Sequence, residues 1–222
     1  ENVRKSNLIV SSFSRKAHID SENYVFEYKN LEVKMPKMNE VHRKKIDSID
    51  GDSIHDLSLN DIVVFFSRLA MLWRDPEYHY RKLLLEIGPI VTGQSAEMYK
   101  HNIGIMLSLF ASKGYLQDMV QSELNNKLLI DEWVPYFNAY IHAEPLGRLL
   151  HVVSGNVPVA GVYSTVRGVL TKNVNTIKLS SRDIITTLLF IQSFKDVDKN
   201  HPITRSTSAI YWERNEEDII NH

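Results

Sequence analysis

The chain has no cysteine among its 222 residues. That excludes disulfides, thiolate metal sites and a thiol nucleophile within these residues. It also lacks an excess of either charge, with 26 Lys and Arg against 27 Asp and Glu. Such a balance offers no field for nucleic acid or an anionic membrane surface. No apolar run approaches the roughly 20 residues that a membrane-spanning helix needs. Residues 1–12 lack the apolar core of a signal peptide. A cytoplasmic protein with no membrane span and no nucleic-acid partner is expected. Glycine is sparse, and Gly147, Gly155, Gly161 and Gly168 do not form a G-x-G-x-x-G phosphate loop. The nine histidines are scattered, without a two-ligand spacing and a third acid or thiol nearby, so no metal is expected. Ser154 lacks the nucleophile-elbow pattern around it.

What the chain does have is length enough for a sizeable core, in one or two domains. Its organising stretch is Glu144–Ser181. An apolar run (Leu149, Leu150, Val152, Val153) ends at Ser154-Gly155-Asn156. Val159, Val162, Val166, Val169 and Leu170 then recur at helical spacing, with Pro158 in the first turn. Lys172-Asn173 closes that helix, and Thr176–Leu179 reads as the next strand. Two strands bridged by a helix lie parallel with a right-handed crossover. Ligands of such sheets collect at the carboxyl ends of the strands, where Asn156 and Lys178–Ser181 fall.

In chain order, Asn7–Ser12, Tyr24–Tyr28 and Leu31–Met35 read as strands, the last two forming a hairpin. Met38–Ile49 reads as a charged helix, broken at Gly51-Asp52-Ser53. Ser58 and Asp61 have the form of a helix cap followed by an acid three residues on. After them Ile62, Phe65, Phe66, Leu69, Ala70 and Trp73 form an apolar stripe, read as a core helix. Asp75-Pro76 starts a second helix, ended by Gly88-Pro89. Ser95 caps a third, with Met98, Ile105, Met106, Leu109 and Phe110 on its buried side. Gly114 separates it from a fourth, Leu116–Leu124. Asp131–Tyr140 reads as a linker or short-strand region. Its Trp133, Tyr136, Phe137 and Tyr140 either pack under a loop or line an acyl channel. Asp183–Phe194 reads as a helix facing inward through Ile184, Leu188, Ile191 and Phe194. A polar turn over Asp196–His201 and a third parallel strand, Ser208–Trp212, follow. The last ten residues read as the start of a helix.

EPLG (Glu144–Gly147), the Asn-x-Pro turn and a strand ending IKLSS (Ile177–Ser181) resemble the cofactor half of an aldehyde dehydrogenase. DEWVP (Asp131–Pro135), SGNVPVAGV (Ser154–Val162), LTKN (Leu170–Asn173) and DVDKNHPITRSTSAIYW (Asp196–Trp212) resemble one branch of that superfamily. This is the LuxC-type long-chain acyl reductase of bacterial luminescence. No single piece is specific; the whole, from about Trp73 to Trp212, is.

The resemblance implies an α/β fold in three sections. Residues 1–57 are a β hairpin and helix, 58–130 a helical section, and 131–222 the first half of a Rossmann-like nucleotide-binding domain. It implies an enzyme that holds its acyl group as a thioester on a cysteine beyond these residues, so the chain looks like roughly the first half of a longer enzyme. Asn156, which on the residues alone reads as a turn residue capping the next helix, would be the oxyanion donor. Lys178, on the residues alone a solvated lysine at a strand end, would meet the adenosine ribose. The superfamily often has Glu where Ser181 stands; Ser181 and Arg182, with Ser180, suit a 2′-phosphate, so NADPH is the expected cofactor. Gly155 replaces the usual aromatic, which implies a wider substrate mouth. The implied partners are long-chain acyl-CoA or an acyl-protein synthetase, in a homo-oligomer. Two other readings stand beside this one: a non-catalytic module that docks an acyl-transferring partner through Ser58–Asn125, and a general acyl-CoA reductase outside luminescence.

Overall fold

The structure, a computed structural model, describes residues 8–9, 17–19, 22–28, 31–49 and 51–213. Short strands β1 (Leu8–Ile9) and β2 (Ala17–Ile19) flank a hairpin of β3 (Asn23–Tyr28) and β4 (Leu31–Pro36). All neighbours are antiparallel, in the order β1-β4-β3-β2. Tyr24, Phe26 and Tyr28 alternate inward with Leu31, Val33 and Met35, as a period of two requires. The expected hairpin is present. Of the strand expected at Asn7–Ser12, Leu8–Ile9 is formed and the remainder lies outside the described residues.

Asn39 opens α1 (Glu40–Asp47), its side chain accepting from the His42 N–H at 2.9 Å. After the expected break comes one short helix, α2 (Asp52–His55). Ser58 and Asp61 form a reciprocal capping box at the head of α3 (Leu59–Arg74). Its stripe from Ile62 to Trp73 is buried throughout, as its spacing predicts. Each such side chain contributes about 1.5–3 kcal/mol on burial.

Four details of the helical section differ from the sequence reading. Asp75 makes an isolated turn, accepting from Glu77 N–H at 2.9 Å through its carboxylate, so α4 begins later and spans His79–Thr92. The helix runs through Gly88 and Pro89 and ends at Gly93, which takes φ 73°, a left-handed conformation that glycine adopts without strain. The phase of α5 (Ala96–Phe110) is set by Tyr99, Ile103, Met106 and Phe110, which leaves Met98 (54% exposed) and Ile105 outside. The break before α6 (Lys113–Leu124) is at Ala111-Ser112, where Ser112 caps the new helix, and Gly114 lies inside its first turn.

A 3₁₀ turn (Lys127–Ile130) leads to a second hairpin, β5 (Val134–Tyr136) and β6 (Ala139–Ile141). The parallel sheet follows. It consists of β7 (Arg148–Val152), α7 (Ala160–Leu170), β8 (Val174–Lys178), α8 (Thr186–Gln192), α9 (Phe194–Asp198), α10 (Pro202–Arg205) and β9 (Thr207–Ile210). The strand order is β7-β8-β9, parallel at both junctions. Pro158 lies in the turn just before α7 rather than inside it. The helix expected from Asp183 begins at Thr186 and is divided near Ser193, where the turn at the end of β8 holds back its start. From residue 214 on, the helix expected at the end lies outside the described residues.

The helices α7 and α8 pack together and against the sheet, as the right-handed crossovers usual for parallel strands in the order β7-β8-β9 would place them. The helical section docks there through polar ties across a shared core. The Asp131 carboxylate accepts from the Leu59 N–H at 3.0 Å and pairs with the Lys172 ammonium at 2.8 Å. Trp73 donates its indole N–H to Ser193 Oγ at 2.9 Å, and Tyr99 Oη meets Thr186 Oγ1 at 2.6 Å. On the other face Leu150 and Val152 are exposed, Val152 at 71%.

Candidate functional site

The carboxyl ends of β7 and β8 are built to different degrees of burial. β8 is the central strand, with Val174, Ile177 and Leu179 in the core and Lys178 half-buried at its tip. β7 lies at the edge, and its register sets Val152 opposite Lys178. The pairing continues one residue further, with Val153 N–H donating to the Lys178 carbonyl at 3.3 Å. Asn156 follows on the turn past β7 and is exposed.

A half-buried polar chain holds the two strands under this end. His151 reaches Ser164 Oγ on α7 through Nδ1 at 2.6 Å and Asn175 Oδ1 on β8 through Nε2 at 2.9 Å. Asn175 donates from Nδ2 to the Asn173 carbonyl at 2.6 Å, so its Oδ1 is the acceptor. The His151 Nε2–H therefore donates to Asn175 Oδ1, while Nδ1 and the Ser164 hydroxyl share the second bond. Nothing in the spacing of His151, Ser164 and Asn175 marked them as partners. Only the parallel register brings them together.

At the tip of β8 the Lys178 ammonium lies 5.2 Å from the Tyr211 ring centre and 5.6 Å from that of Trp212. Both separations are in the range of cation–π attraction. Tyr211 is buried, wedged edge-on between Tyr24 and Phe26 of the N-terminal hairpin at 5.0 and 4.9 Å. Tyr28 of the same hairpin donates its hydroxyl to the Ser181 carbonyl at 3.0 Å. The hairpin thus braces the site from behind, a role its alternation pattern did not disclose.

Beyond Leu179 the chain turns sharply. Asp183 N–H donates to the Ser180 carbonyl at 3.2 Å, and Arg182 N–H reaches Ser180 Oγ at 3.3 Å. Asp183 is 6% exposed and accepts through Oδ1 from the Thr186 N–H at 3.1 Å and hydroxyl at 2.8 Å. Burial pushes its carboxyl above the ordinary value, with the Thr186 bonds opposing. The folded state thus holds this proton more tightly than the unfolded chain. Stability from this group falls as pH rises from the ordinary carboxylate value through the raised one. Asp183→Asn keeps an acceptor at Oδ1 without the charge. We expect it to raise the thermal unfolding midpoint at pH 7, with the gain fading as pH is lowered toward about 4. A gain that persists unchanged at the acid end would refute this.

The turn brings Arg182 back onto Asn156. Arg182 Nη1 donates to Asn156 Oδ1 at 2.7 Å across 26 positions of sequence. Gly155 lies under this contact. A Cβ there would stand 2.4 Å from Ser180 Oγ and 2.6 Å from Arg182 Cβ. The space that a side chain at this position would first enter is therefore filled by Ser180 and Arg182.

Of the residues singled out in the sequence, Asn156, Ser180 and Arg182 are thus packed together, and Lys178 stands at the adjoining strand tip. Ser181 is exposed beside them, with its carbonyl held by Tyr28. The donor set suits an anionic ligand: an ammonium, a guanidinium and two hydroxyls at the carboxyl end of a parallel strand. The aromatic quartet is not part of this cluster. Trp133, Tyr136, Phe137 and Tyr140 project from the β5–β6 hairpin, Phe137 at 92% exposure. Among the described residues they are not packed under a loop: all four are more than half exposed, on a hairpin whose two strands pair with each other. A cavity of about 530 Å³ opens between β4, α1 and β9, lined in part by Met35, Met38, His42, Ile49, Ile210 and Tyr211. Asn156 does not line it, so it does not seat a carbonyl near that amide. Among the described residues no cluster of three His, Asp or Glu has the arrangement of a metal site, and no helix is long and apolar enough to cross a membrane.

This architecture is shared with solved structures. The chain superimposes on the glyceraldehyde-3-phosphate dehydrogenase of Methanocaldococcus jannaschii, crystallised with NADP, with a TM-score of 0.66 at 15% identity, covering 90% of this chain and 42% of that one. An NADP-dependent enzyme of E. coli gives 0.68 at 13% identity, over 91% and 43%. These likenesses show the aldehyde dehydrogenase fold. In sequence, the long-chain acyl-protein thioester reductase of Photorhabdus luminescens is 38% identical over 181 residues, 82% of this chain and 37% of that protein. Its counterpart in Vibrio harveyi is 34% identical over 196 residues, 87% and 41%. The chain spans about two fifths of the length of these relatives. The family model described as acyl-CoA reductase (LuxC) matches residues 54–222, and the chain belongs to that family.

Proposed function

We propose that this chain is the nucleotide-binding and oxyanion-binding portion of an NADPH-dependent long-chain acyl thioester reductase. Its product would be a fatty aldehyde of the kind bacterial luciferase consumes. The carrying observation is the register of the β7 and β8 tips: Val152 stands opposite Lys178, and Asn156, on the turn past β7, is bonded to Arg182 on the turn past β8. The relatives named as acyl-protein thioester reductases support a substrate delivered by an acyl-protein synthetase, with acyl-CoA as the other donor.

In this reading the acyl group is held as a thioester on a cysteine outside these residues. As the carbonyl becomes tetrahedral, the Asn156 amide N–H donates to the oxygen on which charge develops. Lys178 and the hydroxyls of Ser180 and Ser181 hold the adenosine ribose and its 2′-phosphate. Arg182, with five N–H donors and one spent on Asn156, contributes to the same anion. NADPH, when bound, supplies the hydride that releases the aldehyde. The exposed β5–β6 hairpin and the uncovered face at Leu150 and Val152 offer surfaces to the rest of the enzyme and to further copies of it.

The test compares the full-length enzyme with the 222-residue chain, supplied with a long-chain acyl thioester and either NADPH or NADH. The expected result is aldehyde from the full-length enzyme, a lower KM for NADPH than for NADH, and no turnover by the 222-residue chain. Turnover by the short chain would overturn the placement of the cysteine. A preference for NADH would overturn the role given to Ser181 and Arg182.

A further inference from the structure

An amide presents an acceptor and a donor that look alike, and only its partners decide which points where. A guanidinium has donors alone. The atom of Asn156 that faces Arg182 Nη1 at 2.7 Å is therefore the carbonyl oxygen, and the amide N–H₂ is directed away from Arg182. We propose that Arg182 is a positioning residue for Asn156, holding the amide in the orientation that offers its N–H₂ to the reacting carbonyl. The inference rests on the oxyanion role proposed for Asn156 and adds to it.

Three features of the structure support the assignment. First, the bond is charge-assisted, and withdrawing electron density at Oδ1 strengthens the N–H as a donor. Second, the base of Arg182 is fixed. Its N–H reaches Ser180 Oγ at 3.3 Å, and the next residue, Asp183, is buried and anchored to Thr186. Third, the chain makes room for it at Gly155. Any Cβ there would meet Arg182 Cβ at 2.6 Å, so an aromatic at 155 and this placement of Arg182 exclude one another. The glycine and the arginine are one device. An amide held from one side by a cation replaces the packing that a large neighbour would supply.

The proposal separates two uses of one guanidinium. If Arg182 served the nucleotide alone, its loss would appear in the KM for NADPH. As a positioning residue, its loss appears in kcat and depends on Asn156. The experiment is a double-mutant cycle in the full-length enzyme with N156A, R182M and the pair, read as steady-state kcat and KM for a long-chain acyl thioester and NADPH. R182M is expected to lower kcat about tenfold, the scale of one hydrogen bond to a charged group. It is expected to lower kcat little further when Asn156 is already alanine. R182K, which keeps the charge and a donor, is expected to recover part of the loss. Equal factors for R182M in both backgrounds, or a change confined to the KM for NADPH, would overturn the proposal while leaving Asn156's role intact. Full kcat in N156A would remove the oxyanion reading and this proposal with it.

Discussion

Asn156→Ala in the full-length enzyme will lower kcat by about a hundred- to a thousandfold, the loss of about 3–4 kcal/mol seen when one oxyanion donor is removed. The KM for the acyl thioester should change little, because in the role proposed for it the amide acts on charge that exists only as the carbonyl becomes tetrahedral. Structure argues that the substitution will be specific. Asn156 is exposed, its side chain is tied only to Arg182 among the described residues, and its backbone N–H bonds Ser154 Oγ at 3.3 Å whatever the side chain. The alternative, that Asn156 caps α7, predicts a loss of about 1 kcal/mol in stability and none in rate. The structure already weakens that alternative. The N-terminal position of α7 is Val159, without a side-chain cap, and Asn156 lies three residues earlier with its oxygen on Arg182. Thermal unfolding and kcat measured on the same preparation would separate the two. An unchanged rate with a lowered midpoint would restore the capping role.

The parts of the fold that could be read in advance are those decided locally. Ser58 and Asp61, three residues apart, close their box without help, and Ser95 likewise caps α5 on its own. The strand, helix and strand of β7, α7 and β8 were legible because the period changes from run to helix to run within one short stretch. What failed were features settled by distant residues. Pro89 breaks helices in isolation, but α4 is packed so closely on α5 that Gly88 touches the Tyr99 ring, and the helix continues to Gly93. Met98 and Ile105 are as apolar as Met106, and only the burial of Tyr99 and Ile103 shows which face of α5 is inside.

The candidate site divides the same way. Asn156 and Lys178 could be named from their place at strand ends together with a family likeness. Arg182 was placed with the nucleotide because it follows Ser181. That it curls back to Asn156 depends on the buried turn at Ser180–Asp183 and on the absence of a side chain at 155. The braces beneath Lys178 were hidden for a different reason. Tyr24 and Phe26 read as ordinary inward residues of a hairpin, and nothing in their pattern says that Tyr211 lies on the other side.

Trp73→Ala is expected to be the most destabilising single change in the helical section, costing about 3–5 kcal/mol. Its indole is fully buried, edge-on to Tyr78 at 5.6 Å, and its N–H reaches Ser193 Oγ at 2.9 Å where α8 passes into α9. In a chain of 222 residues a loss of that size lowers the unfolding midpoint by roughly 10 °C. Trp73→Phe separates the two contributions. It keeps most of the apolar contact and removes only the N–H bond. Ser193 still donates its own proton to the Phe190 carbonyl, so no donor is orphaned and the cost should be about 1 kcal/mol. The consequence reaches the site by a route that can be traced. Trp73 anchors α3 to the segment that leads through α9 and α10 into β9, and β9 delivers Tyr211 and Trp212 beneath the Lys178 ammonium. Trp73→Phe should therefore leave kcat and the KM for NADPH close to the parent. Trp73→Ala, assayed well below its lowered midpoint, should raise the KM for NADPH before it affects the acyl step. A midpoint shift of less than a few degrees for the alanine variant would mean that the helical section and the sheet are not joined through this indole.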